Sequence, residues 1–406
     1  MSKSPQAGKS PAARQVTLLA AQNSKMARSA HAYVRGSTVK FYAWLRDRGR
    51  KDIPNGLPVW ICGDCHVGNL GPVANADGEI DIQIRDLDQT VIGNPAHDLI
   101  RLALSLATAA RGSDLPGVTT AHMMEHMIEG YRQALTASSS TAPARNQKPE
   151  AVRIIMRKAM ARTWKHLARE RLEDVKPTIP LSDHFWSLKR IEKKEIKKLF
   201  ATEKVQRLVT SLKSRKDGAR VEVLDAAYWM KGCSSLGRLR FAVLLGVGKA
   251  SKPEDFCLFD IKEAAPAAAP HSPRAPMPRD NAERVVAGAR QLSPYLGERM
   301  MALRFLGKSV FIRELLPQDL KLEIDQLTRD EAVQAAKYLA SVVGAAHSRQ
   351  MTSDVRKQWR AILSRDRSKR LDAPSWLWSS VVDLMANHEL AYLEHCRIYA
   401  RSLQQT

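Results

Sequence analysis

Two carboxylates and one amide pose the first question of this chain. They are Asp64 and Asn69 in Trp60-Ile61-Cys62-Gly63-Asp64-Cys65-His66-Val67-Gly68-Asn69, and Asp86 in Ile82-Gln83-Ile84-Arg85-Asp86-Leu87-Asp88. Phosphoryl transfer asks little covalent chemistry of a protein. It needs a carboxylate near the acceptor hydroxyl, hard oxygen ligands for Mg²⁺, and cations or backbone amides on the phosphates. Asp64, on a loop just past an apolar run, is placed for the first need; the amide oxygen of Asn69 and the carboxylate of Asp86 suit the second. The same stretch also spells C-x-x-C-H, from Cys62 to His66, which is a haem-attachment or zinc pattern.

Composition separates these readings. The five cysteines, Cys62, Cys65, Cys233, Cys257 and Cys396, are odd in number and scattered, which is not a disulfide framework. A zinc site would need a second ligand pair at suitable spacing, and none is apparent. Covalent haem requires export, whereas MSKSPQAGKSPAARQ at the start is followed by no apolar run of signal-peptide length. Nothing approaches the roughly 18 apolar residues of a membrane span, so the expectation is a soluble, cytoplasmic protein.

The elements that would position these residues can be read from periodicity. Gln15 to Leu45 has helical spacing interrupted at Arg35-Gly36-Ser37. Leu57 to Ile61 and the alternating run Glu79 to Asp86 predict two strands with the Asp64 loop between them. Pro95 opens a strongly periodic helix with Asn94 or Gly93 near its cap, and a further helix covers about His122 to Leu135. After a polar linker and a basic helical region at 150–216, Tyr228 to Leu245 predicts a β-hairpin around a Gly/Ser-rich turn, and Phe256 to Ala264 a further strand. A Pro/Ala-rich connector precedes a helix from Asn281, Lys308 to Leu315 reads as strand, and the chain beyond Thr328 reads as helical.

The 406 residues carry 64 Lys plus Arg against 42 Asp plus Glu, a net charge of +22. Such an excess favours nucleic acid, an anionic surface or phosphorylated ligands and says nothing of fold. It is densest in Lys189-Arg190-Ile191-Glu192-Lys193-Lys194-Glu195-Ile196-Lys197-Lys198 and continues through Lys213 to Lys216. A solvated helix face carrying mixed charge is the better account of the run.

Taken in order, GDCHVGN, IQIRDLDQT and GNPAHDLIRLALSL resemble the aminoglycoside- and choline-kinase branch of the protein-kinase-like fold. That resemblance implies ATP and Mg²⁺, with Asp64 as catalytic base, Asn69 and Asp86 as metal ligands, Asp88 as the rival to Asp86, and Asp98 as a carboxylate supporting the loop. Only some sixty residues precede Asp64, however, and they are mostly helical, so the nucleotide lobe is expected downstream. There KGCSSLGRLRFAVLL resembles a glycine-rich hairpin, in which Gly232, Ser234, Ser235 and Gly237 let backbone N–H groups approach phosphate oxygens. Lys262 in FDIKEA takes the place of the phosphate-binding lysine, and Glu283 is the candidate for its ion-pair partner. The chain from about 20 to 350 further resembles the bacterial family called domain of unknown function 2252, through KMARSAHAYVRGSTVKFYAWL, the GD-x-H-x-x-N loop, KG-x-x-S-x-G-x-x-R and the strand ending in KEA. It departs in having Cys65 where Ala is usual and Leu87 where Phe is common; neither change removes a catalytic group.

The expectation is therefore an α+β, two-lobed, protein-kinase-like fold in circularly permuted order. Residues 1–220 would form the catalytic-loop half with its basic helical insertion, 221–325 the β-rich nucleotide lobe, and 326–406 a helical return. The function expected is ATP- and Mg²⁺-dependent phosphoryl transfer to an unidentified hydroxyl acceptor, with nucleotidyl transfer as a variant. The alternative is a non-catalytic basic protein that binds nucleic acid or another anionic partner through 189–216.

Overall fold

The computed structural model describes residues 11–47, 52–113, 115–136, 148–161, 178–211, 215, 218–231, 237–249, 252–315, 328–365, 367–368 and 371–404. The expected N-terminal helical stretch is three helices, α1 (Pro11–Ala27), α2 (Ala30–Gly36) and α3 (Thr38–Asp47). The additional break precedes Ser29, whose hydroxyl accepts from the Ala32 N–H at 3.1 Å and so starts α2 afresh.

Four short strands follow, β1 (Val59–Ile61), β2 (Leu70–Ala74), β3 (Ile80–Ile84) and β4 (Val91–Gly93), which pair as β1 with β4 and β2 with β3, both antiparallel. The register sets up the site. Ile61 lies opposite Val91, so the loop leaving β1 and the loop entering β4 begin side by side, and Leu70 lies opposite Ile84, which closes the other end of both loops. Strand β2 was not expected. Its Gly71 and Pro72 suppress the strand pattern, and Pro72 is tolerated because β2 has a single partner.

Helix α4 (Pro95–Gly112) starts at Asn94, whose side chain accepts from the Ala96 N–H, with Pro95 in the first turn. It is apolar almost all round and is buried that way. Leu99, Ile100, Leu102, Leu104 and Leu106 are enclosed, each contributing about 1.5–3 kcal/mol by burial. Helix α5 (Gly117–Ala134) begins a turn before its expected start and is followed by α6 (Glu150–Ala161).

A six-stranded antiparallel sheet dominates the middle of the chain. It takes β5 (Phe185–Trp186), ahead of helices α7 (Arg190–Phe200) and α8 (Glu203–Val209), then β6 (Arg220–Trp229), β7 (Arg240–Lys249) and β8 (Lys252–Glu263). Helices α9 (Asn281–Leu292) and α10 (Pro294–Gly297) precede β9 (Met300–Phe305) and β10 (Lys308–Leu315), and the spatial order is β5-β6-β7-β8-β10-β9. The Met- and Arg-containing β9 carries little β-propensity and was not anticipated. One face of the sheet packs Tyr228, Phe241, Val243, Phe259 and Ile312 against Ile196 and Phe200 of α7. The other carries Ala227, Ala242, Leu244 and Leu258, against which Ile179 rests.

The chain ends in α11 (Arg329–Ser348), α12 (Ser353–Ser364), the short strands β11 (Arg367–Ser368) and β12 (Leu371–Pro374), and α13 (Ser375–Gln404). Helix α11 lies close against α5. A Cβ at Gly130 would stand 2.0 Å from the Lys337 carbonyl oxygen and one at Gly344 would stand 2.8 Å from that of Tyr131, so only glycine allows this approach. The architecture is thus mixed α and β, with an antiparallel six-stranded sheet beside a helical core. Among the described residues no helix is long and apolar enough to cross a membrane.

Candidate active site

The loop after β1 is held from below by Asp98 in the first turn of α4. Its carboxylate accepts from the Cys62 N–H at 2.7 Å and the Gly63 N–H at 3.0 Å. Asp98 is itself one end of a buried chain. His347 Nε2 lies 3.1 Å from it, the Tyr131 hydroxyl is 2.8 Å from His347 Nδ1, and the Trp359 indole N–H donates to that hydroxyl at 3.1 Å. A neutral imidazole donating to Asp98 and accepting from Tyr131 satisfies every member. Gly63 adopts φ of +74°, and a Cβ there would meet the Gln89 carbonyl oxygen at 2.1 Å, so the two loops touch at a point only glycine permits.

Asp64 is 7% exposed. Its Oδ1 accepts from Arg101 Nε at 2.9 Å, and the enclosed Arg101 also donates to the Val34 carbonyl at 2.6 Å. Burial pushes the Asp64 carboxyl above its ordinary value, and the Arg101 guanidinium only partly opposes this. Asn69 donates its amide N–H to the Asp64 carbonyl at 3.0 Å, which leaves the amide oxygen for another partner. Its own carbonyl accepts from the Arg85 N–H at 2.7 Å, next to Asp86. His66, 4% exposed, has Nε2 4.0 Å from Asp64 Oδ2. Burial and then the positive charges of Arg35 and Arg101 hold its pKa well down, so it is a neutral member of the loop.

Lys262 arrives from β8, and its ammonium reaches Asp88 at 2.5 Å and Asp86 at 3.3 Å. Lys262 is 1% exposed. The Asp86 side chain is 44% exposed and that of Asp88 12%, so the cluster is open on the Asp86 side. For Asp86, burial raises the pKa, but Lys262, Arg313 and Arg240 together outweigh it and hold the carboxyl below the usual range. For Asp88, burial and the neighbouring Asp86 charge prevail over Lys262, and the pKa is raised. Asp88 Oδ1 is buried with no hydrogen-bond partner. An orphaned carboxylate oxygen beside an open carboxylate is a donor set that fits a hard divalent cation. Among the described residues no group of three or more His, Cys, Asp or Glu forms a ready-made metal cluster, so oxygens from outside this set would have to complete any coordination.

Arginines frame this cluster. Arg240 makes a bidentate pair with the enclosed Asp260, at 2.9 and 2.5 Å, and Arg313 reaches Asp260 at 3.4 Å and the Arg85 carbonyl at 2.8 Å. Arg284 of α9 donates to the carbonyls of Thr90, Asp88 and Ala265, tying the Asp86–Thr90 loop to the end of β8. Its burial lowers its pKa to about 10. Sequence reasoning missed Arg101, Asp260 and Arg284 as site residues, and left Arg240 open between a phosphate contact and a structural ion pair; the structure shows it paired with Asp260. Arg101 lies three residues after Asp98 and Arg284 immediately after Glu283, but no local pattern marks either as buried.

The Lys262–Glu283 ion pair is not formed, and that expectation is corrected. Asp280 caps α9 by accepting from the Ala282 and Glu283 N–H groups, which fixes the helix register. Arg284 then points inward, and Glu283, about 100° round the helix, is exposed on a separate surface cavity of about 700 Å³ shared with Arg207, Arg290 and Met301. Of the glycine-rich hairpin, Gly232, Ser234 and Ser235 lie outside the described residues. Gly237 lies at its far end with φ of +96°. In the basic stretch, Glu192, Ile196 and Phe200 of α7 are buried and Lys193, Lys194, Lys197 and Lys198 are exposed. Lys213, Ser214 and Lys216 fall outside the described residues, and Arg215 is buried in a pair with Glu314 at 2.6 Å. The Cys62 and Cys65 thiols are both buried; their mutual hydrogen bond and then burial push the Cys62 thiol well up.

The two loops of this mixed α and β chain carry an acidic pair and the buried Asp64, and the buried Lys262 reaches the pair from β8. Residues 14–398 match the family described as uncharacterized protein conserved in bacteria (DUF2252), and the chain belongs to that family. No curated protein and no solved structure matches it.

Proposed function

We propose that this chain is an ATP- and Mg²⁺-dependent phosphotransferase acting on a hydroxyl acceptor, with the two halves of a kinase-like fold in permuted order. The observation that carries the reading is Lys262. A buried lysine from the six-stranded sheet is brought 176 residues back along the chain to Asp86, on the loop beside Asp64. Taking a lysine out of water is costly unless it is paired, and two carboxylates on one cation with one of them open is an arrangement suited to exchanging partners with a phosphate.

In this reading Asp64 accepts the proton of the acceptor hydroxyl, and its raised pKa makes it a better base than an ordinary aspartate. Asp86 and Asp88, with the Asn69 amide oxygen, hold Mg²⁺, which when bound neutralises charge on the transferring phosphoryl group. Lys262 turns from the carboxylates to the nucleotide phosphates, with Arg240 and Arg313 adding positive field from their anchorage on Asp260. The apolar shelf of Ala227, Ala242, Leu244 and Leu258, on the same sheet face as Lys262, gives a purine ring a flat neighbour.

The test is ATP consumption, followed as ADP release with a panel of alcohols, in wild type, Asp64→Asn and Lys262→Met. Asp64→Asn should bind Mg²⁺·ATP and lose turnover by about 100-fold or more, in the range of a removed general base. Lys262→Met should weaken nucleotide binding. Equal nucleotide affinity in wild type and Lys262→Met would remove the basis of the reading.

A further inference from the structure

Among the described residues, one guanidinium beside the site, that of Arg35, is not matched by a carboxylate. Arg35, from the last turn of α2, lies flat against the loop that carries Asp64: a Cβ placed on Gly68 would stand 2.8 Å from Arg35 Nη2 and 2.9 Å from its Cζ. Arg85 approaches the same residue from the opposite strand, its Nη2 3.4 Å from the Gly68 carbonyl. Among the described residues no carboxylate pairs with Arg35, and its Nε is buried with no hydrogen-bond partner. His66 Nδ1, on the same loop, is likewise a buried atom without a partner.

The nearby carboxylates are already engaged. Asp64 is bound to Arg101 and Asp86 to Lys262. A planar, permanently charged guanidinium suited to bidentate contact with a carboxylate or phosphate, left without one at an active-site loop, is a recognition element awaiting its anion. Gly68 is required for this placement, since any side chain there would displace the guanidinium.

We infer that Arg35 binds an anionic group on the acceptor, so that the substrate is an alcohol bearing a phosphate monoester or a carboxylate, oriented with its hydroxyl toward Asp64. This rests on the phosphotransferase reading for the role of Asp64. The anion site itself does not.

Inorganic phosphate, and acetate in a parallel arm, are titrated by calorimetry into the full chain with and without Mg²⁺·ADP, at constant chloride, for wild type, Arg35→Lys and Arg35→Gln. The expected result is saturable binding of at least one of the two anions, weakened tenfold or more in Arg35→Gln and less in Arg35→Lys, with ADP affinity changed less than twofold. The arm that binds names the anionic group. Anion binding that is absent in wild type, or equal in wild type and Arg35→Gln, would overturn the inference, as would an ADP affinity that falls in step with that of the anion. If ADP fails to bind at all, the nucleotide-free titration still tests Arg35, so failure of the phosphotransferase reading is distinguishable from failure of this one.

Discussion

Replacing Arg101 with leucine isolates the electrostatics of the Asp64 loop. Arg101 is fully enclosed, donates to Asp64 at 2.9 Å and to the Val34 carbonyl at 2.6 Å, and stands 5.5 Å from the Phe41 ring centre. Removing one partner of a buried pair costs about 3–5 kcal/mol, because the remaining charge is left unpaired. With an unfolding entropy of about 2.1 cal/mol/K per residue, a chain of this length changes by about 0.85 kcal/mol per degree, so the melting midpoint should fall by about 4–6 °C. The loss should depend on pH with a definite sign. Burial already raises the folded-state pKa of Asp64, and without Arg101 it rises further. A raised carboxyl destabilises the fold as pH climbs from its unfolded to its folded pKa, so Arg101→Leu should cost most at neutral pH and less near pH 5. Asp64→Asn in the same chain should restore at least half of the loss. Thermal unfolding followed by circular dichroism from pH 5 to 8 measures all of this. A pH-independent loss that Asp64→Asn does not relieve would refute the reasoning.

Three other outcomes follow from the same geometry. Gly63→Ala must both adopt φ of +74° and clear the Gln89 carbonyl, 2.1 Å from its Cβ; it should lower stability by about 1–3 kcal/mol and reduce turnover more than a surface Gly78→Ala control. Tyr131→Phe leaves His347 Nδ1 and the Trp359 N–H without partners and should cost about 1–3 kcal/mol by urea unfolding, whereas an isolated surface tyrosine would show almost none. If Asp64 is the base of the proposed mechanism, the acid limb of kcat/KM should lie above 3.8, the ordinary aspartate value, because burial raises its pKa; a limb at or below that value would contradict the proposal.

Much of the helical framework was legible because its signals are local. Asn94-Pro95 ahead of a long apolar helix, and Thr328 with Glu331 opening α11 as a reciprocal cap, are short patterns whose physics does not depend on distant residues. The order Asp64, Asn69, Asp86 and Lys262 could also be read, and the structure brings these four residues together. What escaped the sequence depends on long-range register. Arg284 rather than Glu283 faces the site because Asp280 sets the helix phase, and a shift of one residue turns a helix by about 100°. Arg240 and Asp260 meet only because β7 and β8 pair with Arg240 opposite Lys262. Strand β2 was hidden by Pro72, whose cost disappears at an edge.

The measurement that bears most directly on the central proposal is the melting midpoint of the full chain with ATP, with and without Mg²⁺, for wild type and Asp86→Ala. ATP at about 100 times its dissociation constant stabilises a fold by about 2.7 kcal/mol, which is about 3 °C for a chain of this size. The proposal predicts a shift of that order in wild type that requires Mg²⁺ and is lost in Asp86→Ala. No shift in wild type, or one that persists without Mg²⁺ and in Asp86→Ala, would contradict it.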